Sequence, residues 1–322
     1  MKICVLGCGA YGTALATILD ENKNDVVMWT AFEKEEKEMK KSRRCKKLPG
    51  IVIPDSIKIS SDLKESCENK DMILIAVPAG AVNEISEKIK DYVGNATICI
   101  AAKGIEQGSC KFLYDVVREH IDTDDIAVIS GPSFAIDVAS KAPVGLTLAT
   151  TNDKAKETVE KSFTNSHFKL RYTDDIIGTE ICGSIKNVIA IAAGILDELN
   201  MPESTSALLI TESIHDIKEL IKELGGDGKT VLSFAGFGDL LLTATSEKSR
   251  NYSFGKLLGG SSKEKVDEYI KNTTIEGLYT LDSISQLIKE KNINVPIINL
   301  VYDIIYNNES PNELLNFLIQ KP

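Results

Sequence analysis

The chain has 322 residues, 43% hydrophobic and 26% charged, the balance of a globular protein long enough for two domains. Its 37 Lys plus Arg against 47 Asp plus Glu leave a net charge of −10, which argues against general affinity for nucleic acid or an anionic membrane surface but allows a local basic pocket. Seven cysteines without a CxxC pair, and only three histidines, point to reduced thiols in a cytoplasmic protein rather than a disulfide framework or a metal site.

The first strand-like run, "KICVLG" (2–7), leads straight into a glycine turn, leaving no room for the apolar region of a signal peptide. The turn, "VLGCGAYGTALA", carries Gly7, Gly9 and Gly12 at GxGxxG spacing and opens a helix. Such a turn brings backbone close to a pyrophosphate and aims the N–H groups of a helix N-terminus at it, so a dinucleotide site is expected here. The second run, "DVVMWT" (25–30), ends at Thr30 and Ala31 with neither an acid nor an arginine at its tip. Glu33 would serve the ribose of NAD and Lys34 the 2′-phosphate of NADP, unless both lie on a solvated helix; the choice stays open. "KKSRRCKK" (40–47) has six basic residues in eight but no interleaved aromatics, and reads as a solvated loop, with Arg43 or Arg44 reaching the cofactor phosphates as the minor alternative.

Four more short runs follow, "MILIAVP", "ATICIAA", "IAVISGP" and "VGLTLATT", with helix-like segments between several of them. Apolar strands alternating with helices predict a mostly parallel sheet covered on both faces. After "HFKLRYTDD" the pattern turns helical, as in "TSALLITESIHDIKELIKEL" and "LYTLDSISQLIKE". The expected fold class is therefore α/β, an N-terminal Rossmann-like doubly wound domain over 1–175 followed by a mainly α-helical domain over 176–322. With no linker between them, a ligand cleft between the two is expected. No stretch reads as long and apolar enough to span a membrane, and no membrane insertion is expected.

"EICGSIKNVIAIAAGI" (180–195) poses a question: Lys186 is a single charge inside an apolar helix. Its helical neighbours Cys182, Gly183, Ile189 and Ala190 offer nothing to pair with an ammonium. A lysine snorkelling from a helix end would look the same.

The glycine turn together with "AAKGIE" (101–106), "SGPSFA" (130–135), "GSIKNVIAIAAG" (183–194), "TIEG" (274–277) and "GFGDLLLTATSEKSRNYSFGKLLG" (236–259) resembles the bacterial NAD(P)-dependent glycerol-3-phosphate dehydrogenase family, in the family's order and over nearly the whole chain. The resemblance implies reversible reduction of dihydroxyacetone phosphate by NAD(P)H to sn-glycerol 3-phosphate, the precursor of glycerophospholipids. It implies Lys186 as the proton donor and acceptor, a role that small apolar neighbours would favour by disfavouring the ammonium and lowering its pKa. Lys103, just beyond a strand, would lie near cofactor and substrate and polarise the carbonyl; otherwise it is a turn lysine. Asp239 would orient Lys186 or accept a substrate hydroxyl, and also reads as a helix N-cap.

Ser249, Arg250 and Asn251 would grip the substrate phosphate, with Arg250 also touching cofactor. Gly131 and Ser133 would face substrate. Gly7, Gly9, Ala10, Tyr11, Gly12, Lys103, Ala135 and Glu276 would face cofactor; Pro132 otherwise reads as the first residue of a helix. No metal is implied, and a homodimer is the candidate assembly.

The chain departs from the family in places. Ala10 and Tyr11 replace a serine followed by an aromatic, and Ala31 stands where arginine or histidine is common. Glu212 and Ser213 replace arginine and glycine in "LLITESI", after an altered turn "ELNMPEST". Rival readings are a two-domain β-hydroxyacid or ketopantoate-type reductase, which does not account for the "GDL…SRN" block, and a cofactor-binding sensor without turnover, which predicts loss of Lys186, Lys103 or Arg250.

Overall fold

The structure, a computed structural model, describes residues 1–164 and 167–320. The chain divides into two compact units, Met1–Lys103 with Leu113–Ile176, and Gly104–Phe112 with Ile177–Pro322. The "AAKGIE" stretch is thus split, with Lys103 ending one piece and Gly104 opening the next.

The first unit is built on one eight-stranded sheet. Its strands are β1 Lys2–Leu6, β2 Asp25–Trp29, β3 Lys58–Ser60, β4 Met72–Ile75, β5 Thr97–Ile100, β6 Ile126–Ser130, β7 Val144–Ala149 and β8 Phe168–Thr173, in the order β3-β2-β1-β4-β5-β6-β7-β8. All pairings are parallel except β6 with β7. Successive side chains point to opposite faces of a strand, and both faces are buried. Ile3 and Val5 join one apolar cluster, Cys4 and Leu6 the other. Helix Ala10–Glu21 covers the first face through Ala14, Leu15 and Ile18. Helices Val82–Ile89 and Leu113–His120 cover the second, through Val82, Ile85, Val116 and Val117. Each fully buried Ile, Leu or Val is worth about 1.5–3 kcal/mol relative to exposure, so this two-sided burial drives the sheet's formation.

Two strands differ from the sequence pattern. β3 is three residues at the sheet edge, too short to show alternation. β8 closes the other edge with Lys169 and Arg171, the charged signature of an edge protected against further pairing.

The second unit is helical. Helix Ile176–Glu198 runs through its core, surrounded by Glu203–Glu223, Asp239–Ala244, Arg250–Gly260, Lys263–Asn272, Glu276–Lys291, Pro296–Tyr306 and Glu313–Gln320. This corrects the membrane expectation in one respect: among the described residues, the 23-residue helix Ile176–Glu198 is long and apolar enough to cross a bilayer. Its apolar surface is instead buried within its own unit, under Leu209, Leu240, Leu281 and Ile284.

Two glycines let another helix approach it. A Cβ on Gly194 would lie 2.0 Å from Tyr252 O, and one on Gly255 would lie 2.0 Å from Ile191 O. The crossing of Ile176–Glu198 with Arg250–Gly260 is therefore backbone against backbone. Asp216 fixes another join, its Oδ2 accepting the Ile297 N–H at 2.7 Å where Pro296 opens a helix.

None of the seven cysteines is in a disulfide. Burial pushes the Cys4, Cys8 and Cys99 thiols well up, which makes them packing residues rather than nucleophiles.

Candidate functional site

In the first unit the strand order reverses between β1 and β4, and ligands of open α/β sheets bind beyond the strand ends at such a point. The glycine turn sits there. Gly7 has φ +117°, a left-handed conformation that a side chain disfavours, and a Cβ on it would meet Ala76 O at 2.8 Å. A Cβ on Gly12 would come within 2.1 Å of Gly7 O, so Gly12 lets the helix pack onto the turn. Gly9 differs: a Cβ there would meet nothing within 4 Å. It caps helix Ala10–Glu21 without a side-chain hydrogen bond, and the first turn carries no acid. A helix opening with uncapped N–H groups and no carboxylate suits an anion, and the space over Gly9 is open.

A second group gathers beyond β5 and β6. Lys103 Nζ donates to Gly131 O at 3.1 Å and lies 5.8 Å from the centroid of the Tyr11 ring. Ser133 Oγ donates to the same carbonyl at 2.9 Å and sits 3.0 Å from the Tyr11 hydroxyl. Tyr11, a departure in the sequence, thus joins the glycine-turn helix to Lys103, Gly131 and Ser133. Ala135 opens the short helix Ala135–Ala139, three residues later than the Pro132 start that composition suggests, because Phe134 is extended and forms the cap.

Around the tip of β2 the outcome is mixed. Glu33 and Lys34 are exposed, and Glu33 pairs with Lys37 at 3.6 Å, the solvated-helix alternative. Arg43 is a structural staple, donating to the carbonyls of Ile53, Pro54 and Ile57. Glu35, not singled out by the sequence, is the acid at the strand tip and accepts from Thr30 Oγ1.

In the second unit Lys186 is 9% exposed, and two of its partners lie on another helix. Nζ donates to Asp239 Oδ1 at 2.7 Å and to Thr243 Oγ1 at 3.1 Å. Thr243 Oγ1 donates in turn to Asp239 O at 2.6 Å, one helical turn back. Asp239 is the first residue of its helix, after the cap Gly238, so its carboxylate serves Lys186 rather than capping. The ammonium is thus held by a carboxylate and a hydroxyl from one neighbouring helix. Thr243 went unnoticed in the sequence because a helical threonine carries no distinguishing pattern.

Beside Lys186, Asn187 Oδ1 accepts from Asn251 Nδ2 at 2.9 Å, and Asn251 Oδ1 accepts the Gly277 N–H at 2.9 Å. Asn187 Nδ2 reaches Glu276 Oε2 at 3.5 Å, and Arg250 Nη2 lies 3.7 Å from Glu276 Oε1. Ser249 caps helix Arg250–Gly260, accepting the Tyr252 N–H at 3.3 Å. Ser249 and Asn251 are therefore buried with committed side chains, while Arg250 stays exposed. Glu212 is half-buried on helix Glu203–Glu223, and Ser213 is buried with Oγ donating to Leu209 O at 2.7 Å.

Two family models match, the NAD-dependent glycerol-3-phosphate dehydrogenase N-terminus over residues 2–156 and its C-terminus over 175–316. A glycerol-3-phosphate dehydrogenase [NAD(P)+] of a Thermoanaerobacter species is 38% identical, covering 100% of this chain and 97% of that protein. The enzyme of the same description from Fusobacterium nucleatum is 37% identical over 99% of this chain and 96% of its own length. The crystal structure of a glycerol-3-phosphate dehydrogenase from Coxiella burnetii superposes with a TM-score of 0.92 at 34% identity, covering 99% of each chain. The chain belongs to the NAD-dependent glycerol-3-phosphate dehydrogenase family.

Proposed function

We propose that the protein is an NAD(P)-dependent oxidoreductase that reversibly reduces dihydroxyacetone phosphate to sn-glycerol 3-phosphate, working in the cytoplasm to feed glycerophospholipid synthesis. Residues 1–175 bind the dinucleotide and residues 176–322 carry the proton chemistry and the phosphate. The observation that carries this reading is the Lys186 ammonium, buried in an apolar helix and held by Asp239 and Thr243, in a chain matched to the family over both halves.

Hydride transfer is the chemistry that a bound nicotinamide supplies. The protein must then meet the negative charge that grows on the carbonyl oxygen. Lys186 Nζ delivers a proton to that oxygen in reduction and takes it back in oxidation. Asp239 and Thr243 fix the ammonium's direction. Lys103, aimed by its bond to Gly131 O, polarises the carbonyl, with Gly131 and Ser133 lining the same side. Gly7, Gly9, Ala10, Tyr11, Gly12, Lys103 and Ala135 form the first unit's share of the cofactor site, and Glu276 is assigned to the cofactor by the family resemblance alone. Arg250 supplies the fork for the phosphate, with the N-terminus of its helix adding backbone donors, and Ser249 and Asn251 hold that N-terminus in shape.

The test is initial-rate measurement with purified protein, dihydroxyacetone phosphate and NADH or NADPH. Turnover that vanishes when unphosphorylated dihydroxyacetone is substituted supports both the reaction and the phosphate grip. Cofactor binding without turnover would favour a sensor.

A further inference from the structure

Resting on the reaction proposed above, we infer that Glu35 makes this chain selective for NAD(H) over NADP(H). In a doubly wound sheet the adenosine ribose lies beyond the end of the second strand, beside the glycine turn. Its 2′ position presents a hydroxyl in NAD(H), which donates well to a carboxylate. In NADP(H) it presents a phosphate, which needs a cation.

Here the strand end and the turn adjoin, because Gly7 N donates to Trp29 O at 3.0 Å. Thr30 follows Trp29, donates from Oγ1 to Glu35 Oε2 and accepts the Phe32 N–H at 3.4 Å. The Glu35 carboxylate is thereby fastened to the tip of β2 through Oε2, and the ribose hydroxyl is assigned to its other oxygen. It also acts on the turn itself: burial first, and the Glu35 charge second, push up the thiol of Cys8, which stands between Gly7 and Gly9.

The surroundings disfavour a 2′-phosphate. Lys40 is paired with Glu36 and Lys46 with Glu38, and the Arg43 guanidinium is held by backbone carbonyls and by Asp55 at 3.3 Å. Three of the six basic side chains of the "KKSRRCKK" run are thus committed within their own neighbourhood. Ala31 has no side chain with which to meet a phosphate.

Calorimetric titration of the wild type and of Glu35→Gln with NADH and with NADPH tests the inference without turnover. Glutamine keeps an acceptor for Thr30 and removes only the charge, so the variant should fold as the wild type does. The wild type should bind NADH at least about tenfold more tightly than NADPH, the scale of one charge-assisted hydrogen bond gained against one like-charge contact. In Glu35→Gln the ratio should shrink several-fold, mainly through tighter NADPH binding. Equal or tighter NADPH binding by the wild type, or an unchanged ratio in the variant, would overturn the role of Glu35 and leave the reaction intact. Binding of neither nucleotide would overturn both.

Discussion

The Lys186 ammonium lies 2.7 Å from the Asp239 carboxylate, although 53 residues separate them along the chain. Both side chains are buried, so their mutual attraction is screened little by water and each would be costly to leave alone. Asp239→Asn keeps an oxygen for Lys186 and removes the charge. Turnover should fall by about 10²-fold or more, in keeping with the loss of a positioned acid–base system, while cofactor affinity stays unchanged. Asp239→Ala should in addition lower the unfolding free energy by about 3–5 kcal/mol, because it strands a buried ammonium. Denaturant melts beside rate assays separate the two effects.

Arg250 touches Glu276 only loosely and is exposed, so its replacement should spare the fold. Arg250→Ala is expected to raise KM for dihydroxyacetone phosphate by at least about tenfold, the value of a charge-assisted bond, with a smaller change in kcat. Equal weakening of phosphate-free analogues, measured as inhibition constants, would show that the arginine does not read the phosphate.

The glycine turn allows a contrast between two positions. Gly9→Val introduces a side chain into open space at φ −67°, so thermal stability should change little while NAD(P)H binding is lost. Gly12→Ala drives a Cβ to 2.1 Å from Gly7 O and should lower stability first, by about 1–3 kcal/mol or more. Melting curves and cofactor titrations on the two variants would give opposite patterns.

Gly194→Ala should also damage the site from a distance. Its Cβ would sit 2.0 Å from Tyr252 O and push helix Arg250–Gly260 off helix Ile176–Glu198, stretching the Asn187–Asn251 bond. A loss of about 1–3 kcal/mol in stability together with a raised KM is expected; a raised KM at unchanged stability would contradict this packing role.

The sheet was legible because burial on both faces leaves unbroken apolar runs such as "MILIA", and the cofactor turn because its glycines answer to backbone sterics. β3 was not legible: three residues cannot show a period. Lys186 announced itself as a charge among apolar neighbours, but its partners did not, since helical spacing reports only residues three and four away. Asp239 and Thr243 come from a different helix. Spacing offers Glu33 as a candidate acid for the second strand against a solvated-helix alternative; the helix turns Glu33 to solvent and Glu35, which spacing does not single out, to the strand tip. Asn187 and Asn251 looked like ordinary polar residues, and only the Gly194–Gly255 crossing brings their amides together.

The most direct test of the account is Lys186→Ala, assayed for reduction of dihydroxyacetone phosphate and titrated with NAD(P)H in parallel. Turnover should disappear while the nucleotide still binds with near wild-type affinity, since the glycine turn belongs to the other unit. Near-normal turnover in the folded variant would contradict the assignment of the proton to Lys186.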